Sequence, residues 1–183
     1  YYKCINGEWK FNWVERPADK PQGFYELGYD VSSWKTIRVP GNWELNGYGI
    51  PVYINQQNEF PSNQPYAPTA YNPVGCYVHN FDVPAEWDGR KVYINFGAVK
   101  SAFYLWINGQ FVGYSEDSKT PAEFDITEYL NKDGENTLAV EAYRFSDGSY
   151  LECQDYWRLS GITRDVFIYS KPETNVFDFF VKA

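Results

Sequence analysis

Between residues 75 and 169 the chain breaks into short apolar runs separated by turn residues, and no window carries the 3.6-residue period of an amphipathic helix. Residues 91–96 place Val92, Ile94 and Phe96 on one face, the period-two pattern of a half-buried strand. Residues 75–83 alternate too, with Tyr77, Asn80 and Asp82 among apolar neighbours. Residues 101–107 and 110–114 flank Asn108-Gly109, and Asn6-Gly7 divides two apolar-rich runs near the start. An Asn-Gly pair tolerates positive φ at both residues, so each pair predicts a hairpin. Residues 34–39 (ended by Pro40), 122–126, 137–145 and 164–169 supply further strands, and residues 127–130 predict one helical turn capped by Thr127. About eight to ten short strands joined by such turns mean a β-sandwich or a barrel.

Composition narrows the class. Aromatic residues make up 20% of the 183 residues, with 7 Trp, 17 Tyr and 13 Phe. Such rings suit pleated, half-buried surfaces, and most belong to core or edge packing. The length fits one domain with a self-sufficient core. The net charge is −8 and no basic cluster exceeds two adjacent residues, which argues against nucleic acid as a partner. No run approaches the roughly 18 apolar residues of a membrane span, and no signal peptide is visible. The compartment is therefore not fixed. Three cysteines (Cys4, Cys76, Cys153) and one histidine argue against a disulfide scaffold and against a zinc site, and Cys76 reads as a buried free thiol. The chain starts at Tyr1 without Met, as a segment trimmed from a longer protein would.

Two stretches escape the strand pattern. Residues 16–29 are rich in Pro and Gly and read as loop. Residues 41–71 hold Pro51, Pro61, Pro65 and Pro68 with many Asn, Gln and Tyr. Loops beyond about 12–15 residues are usually functional or disordered, and the rings of Trp43, Tyr48, Tyr53, Phe60, Tyr66 and Tyr71 argue for an ordered one. The densest chemistry follows the strand at 137–145. There Asp147, Glu152, Gln154, Asp155, Trp157 and Arg158 fall within twelve positions. Carboxylates and amides suit sugar hydroxyls, and flat rings suit the apolar faces of a pyranose. A retaining glycosidase needs two carboxyl groups about 5–5.5 Å apart. Glu152 and Asp155 are the best local pair, but acids in a polar loop are usually solvated or structurally bonded.

The run Ser146-Asp147-Gly148-Ser149-Tyr150-Leu151-Glu152-Cys153-Gln154-Asp155-Tyr156-Trp157-Arg158 resembles the β-galactosidases of glycoside hydrolase family 2. So do Val39-Pro40-Gly41-Asn42-Trp43, Asn72-Pro73-Val74-Gly75-Cys76-Tyr77, the stretch from Asn108 to Tyr114, and the stretch from Ser160 to Val166. The blocks keep family order over residues 34 to 172. β-Glucuronidases and β-mannosidases share some of them. The resemblance implies an all-β, jelly-roll sandwich of the galactose-binding-domain type over residues 1–172. Residues 173–183 are then a linker and the first strand of a following immunoglobulin-like domain, with an extra edge strand as the alternative. A (β/α)8 barrel beyond this chain carries the catalytic glutamates, so none is expected here.

The same resemblance implies roles for particular residues. Asp155 contacts a galactose hydroxyl and helps hold a sodium ion; Asn72 contacts the substrate through its amide. Glu152, Trp157 and Arg158 support the site: Trp157 reads as a buried anchor of the loop, with stacking on substrate as the alternative, and Arg158 as a partner of Glu152 or Asp147. Cys153 departs from a more usual Asp. Sodium and magnesium are the implied cofactors of the full protein. Its implied partners are a galactoside, the remaining domains of the chain and further copies of itself. The alternatives are an autonomous carbohydrate-binding module and an interaction domain of another family 2 glycosidase.

Overall fold

The computed structural model describes residues 1–55, 59–131, 134–152 and 154–183. Cys153 lies outside the described residues. Fourteen strands form, in chain order, β1 (Tyr2–Cys4), β2 (Gly7–Val14), β3 (Lys35–Val39), β4 (Val52–Ile54), β5 (Val74–Phe81), β6 (Lys91–Phe96) and β7 (Val99–Lys100). Then come β8 (Ala102–Ile107), β9 (Gln110–Glu116), β10 (Ala122–Asp125), β11 (Asn136–Tyr143), β12 (Tyr156–Arg158), β13 (Gly161–Ile162) and β14 (Val166–Lys171). Six of them make one antiparallel sheet in the order β3-β2-β5-β11-β8-β9, and four make a second in the order β1-β14-β6-β10. β12 pairs only with β4, and β13 only with β7. Among the described residues no helix is long and apolar enough to cross a membrane.

The inner faces of the two sheets meet over one core. Trp9, Phe11, Tyr77, Leu105, Leu138 and Val140 come from the larger sheet; Ile94, Phe96 and Ile168 come from the smaller. β5 and β11 are buried on both faces over most of their length, so the one-sided burial that alternation over residues 75–83 implies holds only toward the end of β5. Tyr77 points into the sandwich, while Cys76 and Val78 point the other way. There they pack under Phe24, Tyr25, Val31 and Trp34 of the segment that precedes β3. Burial pushes the Cys76 thiol far above its ordinary pKa, so the buried free thiol expected from sequence is present and inert.

The Asn108-Gly109 hairpin forms, with φ of 50° and 78° joining β8 to β9. The Asn6-Gly7 hairpin does not. β1 pairs with β14 and β2 with β3 and β5, so Asn6-Gly7 is a crossing between sheets. Burial of Trp9 and Phe11 decides the pairing there, and Asn6 instead clasps the far strand: it accepts from Val166 N at 2.8 Å and donates to Asp165 at 2.9 Å. Thr127 is not the cap of its turn. It is the first residue of the 3-10 turn Thr127–Tyr129; Asp125 accepts its N–H at 3.0 Å, and its own hydroxyl accepts from Val92 N at 2.9 Å. Residues 172–183 join neither sheet, and Val176, Phe177, Phe179, Phe180 and Val181 are 75–95% exposed. The alternative edge strand is thus not formed.

One glycine marks the tightest contact between the sheet and what covers it. A Cβ on Gly75 would lie 2.4 Å from the Trp43 ring and 2.8 Å from Phe11. Gly75→Ala should lower the unfolding free energy of this chain by about 1–3 kcal/mol, the usual cost of overpacking. Urea denaturation would show it as a lower midpoint at unchanged slope; an unchanged midpoint contradicts the packing described here.

Candidate functional site

The long loop and the acidic segment meet where β11 ends and β5 begins. The loop is first pinned by backbone bonds, Gly41 N to Ile162 O at 2.8 Å and Trp43 N to Ser160 O at 3.0 Å. Trp43 then enters the core, its indole N–H donating to the Tyr77 hydroxyl. The decisive anchor is Arg144, the residue after β11. Its guanidinium donates to Glu44 at 2.9 Å, to Glu59 at 2.7 Å and to the Ile50 carbonyl at 3.3 Å. All three acceptors lie in the loop. The Arg144 side chain is 3% exposed, Glu44 0% and Glu59 9%, so these charges are out of water and must be satisfied by one another. Glu44 uses its second oxygen for Ser160 N at 2.8 Å. Glu59 faces two more cations, Lys100 at 3.8 Å and Arg158 at 3.9 Å. Burial pulls the Lys100 amine below its usual range, with Glu59 acting against that shift.

Asn72 is 3% exposed and brackets the residue after Arg144. Its Oδ1 accepts from Phe145 N at 2.9 Å and its Nδ2 donates to Phe145 O at 3.0 Å. One donor and one acceptor of the amide are therefore committed inside the domain. Phe145 meets Phe60 in a tilted contact at 4.6 Å, and Phe60 meets Tyr150 edge to face at 5.2 Å. The Tyr150 hydroxyl closes this layer by donating to Tyr66 O at 2.8 Å and accepting from Asn63 N at 3.1 Å. Glu152 is also committed: it accepts from Ser118 N at 2.9 Å and Ser118 Oγ at 2.5 Å. Arg158 donates to the main-chain carbonyl of Glu152 at 2.5 Å. It braces the segment through that carbonyl and through Glu59, 3.9 Å away.

Past these anchors, β4 and β12 form a free-standing antiparallel ribbon that gives the segment two faces. Tyr156 and Arg158 face inward. The Arg158 and Lys119 cations each lie 4.8 Å from the Tyr156 ring centre, with Lys100 at 5.9 Å. Trp157 is not the buried anchor expected from sequence, because the strand's parity turns it outward opposite Tyr53; the rings meet edge to face at 5.7 Å and are 55% and 53% exposed. Asp155, two positions before Trp157 and exposed, receives a hydrogen bond from the Tyr53 hydroxyl. That bond holds the Tyr53 phenol above its ordinary pKa. Extending the register of β4 and β12 by one step sets exposed Asn55 across from Asp155.

The outer face of the ribbon thus gathers a carboxylate, two rings and an amide. Sequence reasoning reached Asp155 and Trp157 but missed Tyr53 and Asn55, whose only signal is a Tyr-x-Asn spacing inside the proline-rich loop. Glu152 and Asp155 each accept from a hydroxyl donor of their own, Ser118 and Tyr53. Among the described residues no group of three or more His, Cys, Asp or Glu side chains is placed to hold a metal ion. A cleft of about 660 Å3 lies elsewhere, between Trp87, Arg90, Thr127 and Glu173, and none of the candidate sugar-site residues lines it.

Comparison with known proteins gives consistent matches. The family model described as glycosyl hydrolases family 2, sugar binding domain, matches residues 2–172. A β-galactosidase of Priestia megaterium is 51% identical over 187 residues, covering 100% of this chain and 18% of the relative. One from Halalkalibacterium halodurans is 48% identical, covering 98% of this chain and 18% of the relative. The chain therefore spans about a fifth of the length of these relatives. A Bacteroides uniformis β-glucuronidase structure superposes with a TM-score of 0.71 at 23% identity, covering 94% of this chain and 18% of that one, a likeness of fold.

The buried charges can be tested on this chain alone. Arg144→Met strands Glu44 and Glu59 without their main partner. It should destabilise the chain by about 3–5 kcal/mol, the range for breaking a buried ion pair on one side. Thermal or urea unfolding checks this; a loss under about 1 kcal/mol would mean the pairs are effectively solvated.

Proposed function

This chain belongs to the sugar-binding domain family of the family 2 glycosyl hydrolases, and we propose that it is the non-catalytic N-terminal domain of a β-galactosidase. In this reading the full protein hydrolyses terminal β-D-galactosides with retention, using two carboxyl groups of a barrel that follows this chain. Residues 173–183 lead into the intervening domain, and the protein works as an oligomer of identical chains. The domain lends its partner domain one wall of the sugar pocket. The observation that carries this is Asp155, set on the outer face of a rigid ribbon with a hydroxyl donor on one oxygen. A carboxylate so placed accepts a sugar hydroxyl through a charge-assisted bond.

Asp155 also offers a hard cation such as sodium the oxygen ligand it prefers, with the remaining ligands coming from elsewhere; no described residue is assigned to magnesium. We place direct contact at Asp155, with Trp157 and Asn55 beside it. Glu152, Arg158 and Asn72 hold the segment in place, Asn72 through its bracket on Phe145. The exposed Tyr53 and Trp157 rings also suit an autonomous carbohydrate-binding module, and calorimetry separates the two: a module binds galactose alone, a pocket wall does not.

In the full-length protein, Asp155→Asn should raise KM for a chromogenic β-galactoside by about tenfold or more, the worth of a hydrogen bond to a charged group. This 183-residue chain should release no chromophore. Turnover by the chain itself that disappears in Asp155→Ala would overturn the assignment.

A further inference from the structure

We propose that Tyr53 is a positioning residue for Asp155, fixing which carboxylate oxygen meets the galactoside. The inference rests on the substrate-contacting role given to Asp155 above. Tyr53 lies opposite Trp157 in the ribbon, and Asp155 is its diagonal neighbour two residues back. Diagonal neighbours sit about 7–8 Å apart at the backbone, a gap that a tyrosine spans and shorter side chains do not. The Tyr53 hydroxyl therefore lands on Asp155 Oδ1. Asp155 stands at a bend before β12, exposed, where an untethered carboxylate would move among rotamers. The bond selects one orientation, occupies part of Oδ1 and leaves Oδ2 as the open acceptor. A fixed acceptor favours a sugar whose hydroxyl meets it and discriminates against the epimer whose hydroxyl does not.

Tyr53 is half exposed and belongs to neither main sheet, so removing its hydroxyl leaves the sandwich core untouched. The hydroxyl's raised pKa agrees with its service to the carboxylate.

The test is a double-mutant cycle in the full-length protein. Tyr53→Phe should raise KM for a chromogenic β-galactoside about fivefold with kcat within about twofold, the size of one modest hydrogen bond. Adding Tyr53→Phe to Asp155→Asn should change KM less than about twofold, because the tyrosine acts only through the carboxylate. An unchanged KM in the single variant, or an equal rise in both backgrounds, overturns the inference; the second result would mean that Tyr53 contacts sugar by itself. If the wild-type protein hydrolyses no galactoside, the assignment above falls. The positioning claim is then decided by fluorine NMR of the full-length protein with 3-fluorotyrosine at position 53 alone. Its fluorine resonance should shift in Asp155→Asn, and an unmoved resonance overturns the claim.

Discussion

The path of the long loop depends on one guanidinium. Arg144 leaves the central strand β11 and, out of water, gathers Glu44, Ile50 and Glu59 from three points of the long loop. Its planar fork imposes directions as well as charge, so a loop of about thirty residues acquires a fixed path. The network is not neutral by count: Glu44 and Glu59 oppose Arg144, Lys100 and Arg158. Buried pairs of this kind rarely beat hydrophobic packing in net stability. What this one supplies is position, because the same carboxylate of Glu59 touches the end of β11, the end of β7 and the β12 ribbon.

That sharing matters because the ribbon shares no ladder hydrogen bonds with either main sheet. Its placement comes from side chains: Arg158 toward Glu59 and the Glu152 carbonyl, Tyr156 among three cations, Glu152 on Ser118. The inner face is an electrostatic root and the outer face is free to meet a ligand. The sandwich core, by contrast, is apolar and indifferent to what the outer face does. Stability and recognition are thus kept in different materials within one small domain.

The parts of this design that were legible in sequence are the local ones. Alternation gave β6 at its true bounds, and Asn108-Gly109 gave its hairpin, because both signals are complete within a few residues. Asn6-Gly7 carries the same turn signal and misleads, since Trp9 and Phe11 select partners far along the chain. The acidic segment stood out by composition. Its workings did not: Tyr53 meets Asp155 across 102 positions, and Glu44 meets Arg144 across 100. β4 is three residues among prolines and has no pattern of its own; it exists because β12 is there to pair with it. Asn72 was visible as an Asn-Pro, but only the fold shows that its amide is turned inward to Phe145.

The alternation of faces along β12 ties chemistry to parity. Shifting the register by a single residue would turn Trp157 toward Glu59 and Lys100 and carry Arg158 into solvent. Both faces would fail together. Residues 60–71, held by ring contacts and the Tyr150 hydroxyl rather than by a strand ladder, carry no such even-odd constraint. A one-residue insertion there shifts no paired face, whereas the same insertion in the arm bearing Asp155 inverts both faces of the ribbon.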